Sequence, residues 1–205
     1  MTDRAEHWNQ IFVSKADKEL GWYEANVGQT LAFLDLIPNA ASQPVFVPGA
    51  GTSLLVDELL ARGSRLILND ISSEALARLR DRVGARRDRV EWLVQDISQP
   101  LPAGASQADI WIDRAVLHFL LADSEIDGYF ENVRTVVKPG GYVLLAEYSK
   151  AGASRCAGLD VHRYSIEEMI ARLGRDFALV ATEDYTFVNP AGAPRPYVYG
   201  LFRRD

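Results

Sequence analysis

The sequence predicts a doubly wound α/β sheet, mostly parallel and closed by an antiparallel hairpin. Three observations carry that expectation. Val45-Phe-Val47 runs into Pro48-Gly-Ala-Gly51 and then into the helically spaced apolar stretch Leu54–Leu60, which reads as a strand, a tight glycine turn and a helix. From residue 44 onward, β-branched apolar runs alternate with helical patterns, as parallel strands joined by crossover helices do. Phe177–Val188 and Tyr197–Arg203 are strand-like runs separated only by Asn189-Pro-Ala-Gly-Ala-Pro194. A connection that short cannot hold a crossover helix, so these two strands must pair antiparallel.

Taken in order, residues 1–40 read as helical. Trp8, Ile11 and Phe12 share one face, while Leu31 and Leu34 belong to a second helix that ends at Pro38. Between the two lies Glu19-Leu-Gly-Trp22-Tyr23-Glu24, an aromatic pair beside a glycine. Strands are expected near 44–48, 65–69, 90–94, 108–113 and 141–147, and the terminal pair brings the total to seven. Helices are expected near 53–62, 73–83, 123–137 and 166–173. In the third of these, Ile126, Tyr129, Phe130, Val133 and Val137 recur at helical spacing, and Lys138-Pro-Gly-Gly141 stops the helix. Ser165-Ile-Glu-Glu168 is a capping box that opens the last. We expect one domain over residues 1–205, with a helical lid at about 1–40.

Composition narrows the class. The chain has 205 residues, of which 48% are hydrophobic, and a net charge of −6. That balance argues against nucleic acid as the main partner, since phosphate binding relies on clustered Lys and Arg. The arginines between Arg78 and Arg89 are interleaved with acids and read as a solvated face. The single cysteine, Cys156, precludes an intramolecular disulfide and reads as a bystander. Three scattered histidines and that cysteine match no zinc spacing, so no metal is expected. The absence of a long apolar run predicts neither a membrane span nor export. The expectation is a cytoplasmic monomer or homodimer.

The ligand is read from the strand ends. Asp70 ends Leu66–Asp70 and Asp96 ends Val90–Asp96, so three strands deliver polar groups where an open α/β sheet binds its ligand. This set points to an adenosine. A dinucleotide fingerprint would place a third glycine at position 54, close to the pyrophosphate, but Leu54 stands there. S-adenosylmethionine has no phosphate and needs only the turn glycines. Asp70 is placed to accept from the ribose hydroxyls, with Ile71 beside it, or to cap the helix that begins at Ser72-Ser73. Asp96 is placed to accept from the adenine amino group beside the backbone of Ile97, or to shape the turn before Pro100. Gly49, Ala50 and Gly51 let the backbone approach the ligand, and a helix starting near Ser53 offers free N–H groups to its carboxylate.

At this point the chain resembles the class I S-adenosylmethionine-dependent methyltransferases over roughly residues 7–203, which implies a Rossmann-like seven-stranded sheet. Val47-Pro48-Gly49 and Ile110-Trp111-Ile112-Asp113-Arg114 are similar to motifs of the thiopurine and thiol methyltransferases. Trp22-Tyr23 and Asp70-Ile71-Ser72 are similar to elements of the elongation-factor lysine methyltransferases. Many class I enzymes carry an acid where Val47 stands, and its absence shifts weight to other groups at the methionine end. Asp113 and Glu147, which follow the fourth and fifth strands, are the candidate catalytic carboxylates, and Asp113 also a cofactor contact. Trp22 is expected against the cofactor. Tyr23, Arg114, His118, Tyr148, Arg155 and Tyr164 are expected at the acceptor, Arg155 and Tyr164 on the long polar loop 149–164. The expected activity is methyl transfer from S-adenosylmethionine to a small-molecule S, N or O nucleophile, leaving S-adenosylhomocysteine. Protein-lysine methylation and a nicotinamide-binding or silent nucleotide-binding module are the alternatives.

Overall fold

A computed structural model describes residues 2–205, with side chains from Arg4 onward. Met1, where the expected domain and lid begin, lies outside the described residues. Seven strands form one sheet in the order β3-β2-β1-β4-β5-β9-β8. The strands are β1 (Val45–Val47), β2 (Leu66–Asp70), β3 (Val90–Val94), β4 (Ala108–Arg114), β5 (Val137–Tyr148), β8 (Phe177–Val188) and β9 (Pro194–Arg204). A two-stranded piece, β6 (Arg155–Cys156) with β7 (Leu159–Asp160), folds the long loop back on itself. Pairings from β3 through β5 are parallel, and β9 is antiparallel to both β5 and β8. The sequence expectation therefore holds for each of the seven strands of the main sheet.

The helices are α1 (Thr2–Ser14), α2 (Gly28–Leu34), α3 (Leu55–Ala61), α4 (Ser73–Val83), α5 (Asp123–Val136) and α6 (Ile166–Leu173). Two apolar layers cover the sheet. One contains Val45, Val47, Leu68, Ile110 and Leu144 with Val56 and Leu59 of α3. The other contains Phe46, Trp111, Val143 and Leu145 with Tyr129, Phe130 and Val133 of α5. Strand alternation sends neighbouring residues to opposite layers. Phe46 stacks on Trp111 with ring centroids 4.4 Å apart and planes within 6° of parallel. Helix α5 ends at Val136, and the chain passes directly into β5 instead of looping out at Lys138-Pro-Gly-Gly141. The Gly140 φ of +79° makes that bend inside the extended segment.

Helix α1 is held across the C-terminal side of the sheet by polar contacts to α4. Asn9 Oδ1 accepts from Ser72 Oγ at 2.7 Å, and Arg78 donates to the Phe12 and Lys15 carbonyls. Trp8 and Phe12 are thereby packed over the strand ends. Among the described residues, no helix is long and apolar enough to cross a membrane.

Candidate functional site

The C-terminal ends of β1, β2 and β4 open onto a cavity, the place where an open α/β sheet binds its ligand. The glycine turn forms one wall, with φ of +50° at Gly49 and +51° at Gly51. A side chain at Gly49 would run into Val116, and one at Gly51 would meet the Phe12 ring at 3.3 Å. Asp70 fixes this turn. Its Oδ2 accepts from the Gly51 N–H and its Oδ1 from the Ser72 N–H, both at 2.8 Å. Burial pushes its pKa up to about 6, against the opposing pull of the Ser72, Gly51 and Ile71 N–H groups. At the next strand end, Asp96 Oδ1 accepts from the Ser98 backbone at 2.9 Å and its hydroxyl at 2.7 Å, and Oδ2 lies 3.8 Å from Arg4.

Of the residues expected at the cofactor, Trp22, Gly49, Gly51, Asp70, Ile71, Asp96 and Ile97 line this one cavity, together with Arg114. Ala50 and Ser53 line an adjoining cavity with Tyr23, Glu24 and Arg114, and Trp22, Gly49, Gly51 and Arg114 border both. The helix after the turn starts at Leu55, not Ser53. Ser53 Oγ takes the Leu55 N–H at 3.2 Å, and the first turn carries Asp57 and Glu58. This seven-residue helix is therefore a poor anion site, and the expected helix-end contact to a carboxylate is not favoured. Tyr148 and Arg155 line a third cavity, joined to the first through Trp22 and Cys156. Tyr164 is fully buried and lies away from all three, beside the β8–β9 hairpin.

Asp113, Glu147 and His118 are not at the cavity surface, and the expected catalytic and ligand contacts of these residues are corrected. All three side chains are fully buried. Asp113 accepts from the Val116 and Leu117 N–H groups, both at 3.0 Å, and from the Tyr129 hydroxyl at 2.6 Å. Tyr129 in turn accepts from Trp111 Nε1 at 2.8 Å. The reason is strand parity: Asp113 lies two residues from Trp111 and shares its face toward α5, while Arg114 points the other way, to the cavity. Burial, reinforced by nearby Glu147, holds the Asp113 pKa well above the carboxylate range. Glu147 shares the face of Val143 and Leu145. Burial pushes its pKa up to about 8, and its Oε2 lies 2.9 Å from His118 Nδ1. Between these groups the backbone turns at Ala115 with a left-handed φ of +68°, a conformation that L-residues hold only when their surroundings enforce it. Asp113 supplies that enforcement.

Several lining residues were not identified as such from sequence. Trp8 and Phe12 were legible as one helix face, but nothing local told what that face covers. Trp8 packs edge-on against Trp22 and Phe119, with centroids 5.5 and 4.9 Å away, to build an aromatic wall. Asn69 and Gln95 contribute from the ends of β2 and β3. Cys156, read from sequence as a bystander, borders the first and third cavities, and Tyr148 donates to its sulfur at 3.5 Å. Burial raises its pKa, but His118, Tyr148 and Arg195 outweigh that and leave the thiol below its ordinary value.

Residues 48–143 match a family model described as a methyltransferase domain. The eEF1A lysine and N-terminal methyltransferase of Mus musculus is 26% identical over 156 residues, covering 72% of this chain and 22% of that protein. The chain thus spans about a fifth of the length of the curated relatives it matches. Among solved structures, a SAM-dependent methyltransferase from Anabaena variabilis superposes with a TM-score of 0.77 at 15% identity, covering 100% of this chain and 94% of that one. The 1,6-didemethyltoxoflavin-N1-methyltransferase of Burkholderia thailandensis, with 1,6-didemethyltoxoflavin and S-adenosylhomocysteine bound, superposes with a TM-score of 0.68 at 18% identity, covering 99% and 84%.

Proposed function

We propose that the chain is a class I S-adenosylmethionine-dependent methyltransferase, a reading supported by the methyltransferase-domain match over residues 48–143 and by the shared fold, and that it methylates a small-molecule nucleophile in the cavity beneath α1. The residues present fit the cofactor. Carboxylates stand at two strand ends for the ribose and the adenine, and the glycine turn leaves open the space that a Cβ at Gly51 would occupy against Phe12. Asp70 would accept from the ribose hydroxyls, and Asp96 would accept from the adenine amino group beside Ile97. When bound, S-adenosylmethionine supplies a methyl carbon carried on a sulfonium. The aromatic wall of Trp8, Trp22 and Phe119 offers ring faces and edges to a cationic centre and excludes water.

The protein's contribution is mainly orientation, which alone supplies ~7–11 kcal/mol in well-aligned displacements. Asp113 and Glu147 act from behind the wall. They hold the strained 114–118 turn, and so the backbone of Ala115 and Val116 against the ligand. Neither carboxylate touches the cavity, so a nucleophile that needs no dedicated base, a thiolate above all, suits the site best. Trp22 and Cys156 stand where the cofactor cavity meets the outer one lined by Tyr148 and Arg155, and this is the acceptor's path. In this reading α1 and the segment through Trp22 serve as the lid.

The observation that carries the small-molecule reading is enclosure: α1 lays Trp8 and Phe12 over the strand ends and leaves a cavity walled by aromatic rings. The partial likeness to the mouse lysine methyltransferase favours protein-lysine methylation as the second reading. Labelled S-adenosylmethionine offered with thiols, amines and phenols, and in parallel with a purified translation elongation factor, tests the choice. Label in a thiol or another small acceptor is the expected result. Label only in the protein would overturn it.

A further inference from the structure

The first cavity carries the two carboxylates proposed for the adenosine, Asp70 and Asp96, but the cofactor of the proposed function also ends in an α-amino acid, which brings an ammonium and a carboxylate. The adjoining cavity lies on the far side of the glycine turn, and its described lining is largely apolar or backbone, with Val47 and Pro48 at the end of β1. It holds one acid and one base, Glu24 and Arg114. These come from segments 90 residues apart and meet as a nearly buried ion pair, with Arg114 Nε 2.9 Å from Glu24 Oε2 and side chains 12% and 7% exposed. Arg114 is braced from several sides. Its guanidinium lies over the rings of Phe187 and Tyr197, 4.8 and 4.9 Å from their centroids, and its Nη1 donates to the Trp22 carbonyl at 3.3 Å.

A buried ion pair by itself is a poor source of stability, because desolvation offsets the attraction. It makes a good receptor for a ligand that carries the same two charges in reverse order. We propose that Glu24 and Arg114 form the binding site for the amino-acid end of the cofactor: Glu24 accepts from the ammonium, and Arg114 provides the countercharge for the carboxylate and positions Glu24. This inference rests on the S-adenosylmethionine reading and deepens it. It also accounts for Val47, since the carboxylate at this end arrives from the segment after α1 instead of from β1. Trp22 belongs to the same short segment as Glu24 and borders both cavities, so one stretch of chain would hold the methionine end and wall the cofactor.

The test is titration calorimetry of the full chain with two ligands, S-adenosylhomocysteine and 5′-methylthioadenosine, which shares the adenosine but lacks the amino acid. Glu24→Gln keeps the shape and removes the charge. It is expected to weaken S-adenosylhomocysteine by about 10–100-fold, the worth of a charged hydrogen bond, and to leave 5′-methylthioadenosine within about twofold. Arg114→Met should behave in the same direction, with a thermal scan to confirm folding; if it does not fold, Glu24→Gln decides alone. Equal loss of both ligands, or no loss of either, in Glu24→Gln would overturn the assignment while leaving the cofactor reading intact. A wild-type chain that binds neither ligand would sink the cofactor reading itself, and this inference with it.

Discussion

Asp70 does two structural tasks before any ligand arrives, since one oxygen holds the glycine turn and the other starts α4. Its position as the last residue of an apolar run was plain in the sequence, and both expected roles, cap and cavity acid, are compatible with its geometry. Burial raises its pKa to about 6, so below that value the carboxyl is protonated and loses acceptor capacity for the ribose hydroxyls. Affinity for S-adenosylhomocysteine is therefore expected to rise through pH 6 and to level off near 7.5. At pH 5 about a tenth of the carboxylate is ionised, which gives roughly tenfold weaker binding. Calorimetry across that range checks this, and Asp70→Asn should bind weakly at every pH with a flat profile. A wild-type profile as flat as the variant's would refute the role. Asp113 is the opposite case, because its residue type and strand-end position looked catalytic. What hid its true place was parity: counting two residues back to Trp111 would have put both on the α5 face.

At the scale of elements, the glycine turn shows how a local motif depends on distant packing. Both glycines take left-handed φ values, which costs a residue with a Cβ about 1–2 kcal/mol. Their surroundings differ. A methyl at Gly49 is driven into Val116, which the Asp113 hydrogen bonds hold in place, while one at Gly51 meets the far end of the Phe12 ring at 3.3 Å. Gly49→Ala is thus expected to cost about 2–4 kcal/mol and lower the melting temperature by roughly 4–16 °C. Gly51→Ala should cost about half as much, because Phe12 on α1 can give way. Thermal denaturation of the two variants measures the difference, and equal losses would mean that Val116 is freer to move than this packing implies. Turn, alternation and terminal hairpin were legible because each shows in contiguous sequence, as periodicity within an element or a short connection between two. The cover provided by α1, the place of Cys156 at a cavity junction and the pairing of Glu24 with Arg114 were not. Glu24 and Arg114 lie 90 residues apart and Trp22 and Cys156 lie 134 apart, and such contacts leave no periodic trace in a single sequence.

Among the described residues, four buried carboxylates are raised in pKa by burial: Glu24, Asp70, Asp113 and Glu147. They set an unusual pH dependence. For Glu147 the folded value of about 8 lies above the ordinary 4.5, so between these limits the native state keeps a proton that the unfolded chain releases. The stability associated with that proton is full below pH 4.5 and is lost as pH rises through 8. One retained proton corresponds to a slope of up to about 1.4 kcal/mol per pH unit. Glu168 shifts the other way: burial opposes it, but Lys150 and His162 prevail and lower its pKa, so its contribution fades only on acidification below the ordinary carboxylate range. On the alkaline side Glu147 and its raised neighbour Asp113 therefore both lower stability as pH rises. Chemical denaturation at steps from pH 6 to 9 is expected to show a falling midpoint, and Glu147→Gln, which stays neutral in the same pocket, should flatten that fall. Wild-type stability that rises over this interval, or a variant with an unchanged slope, would show that Glu147 is ionised in the fold at neutral pH.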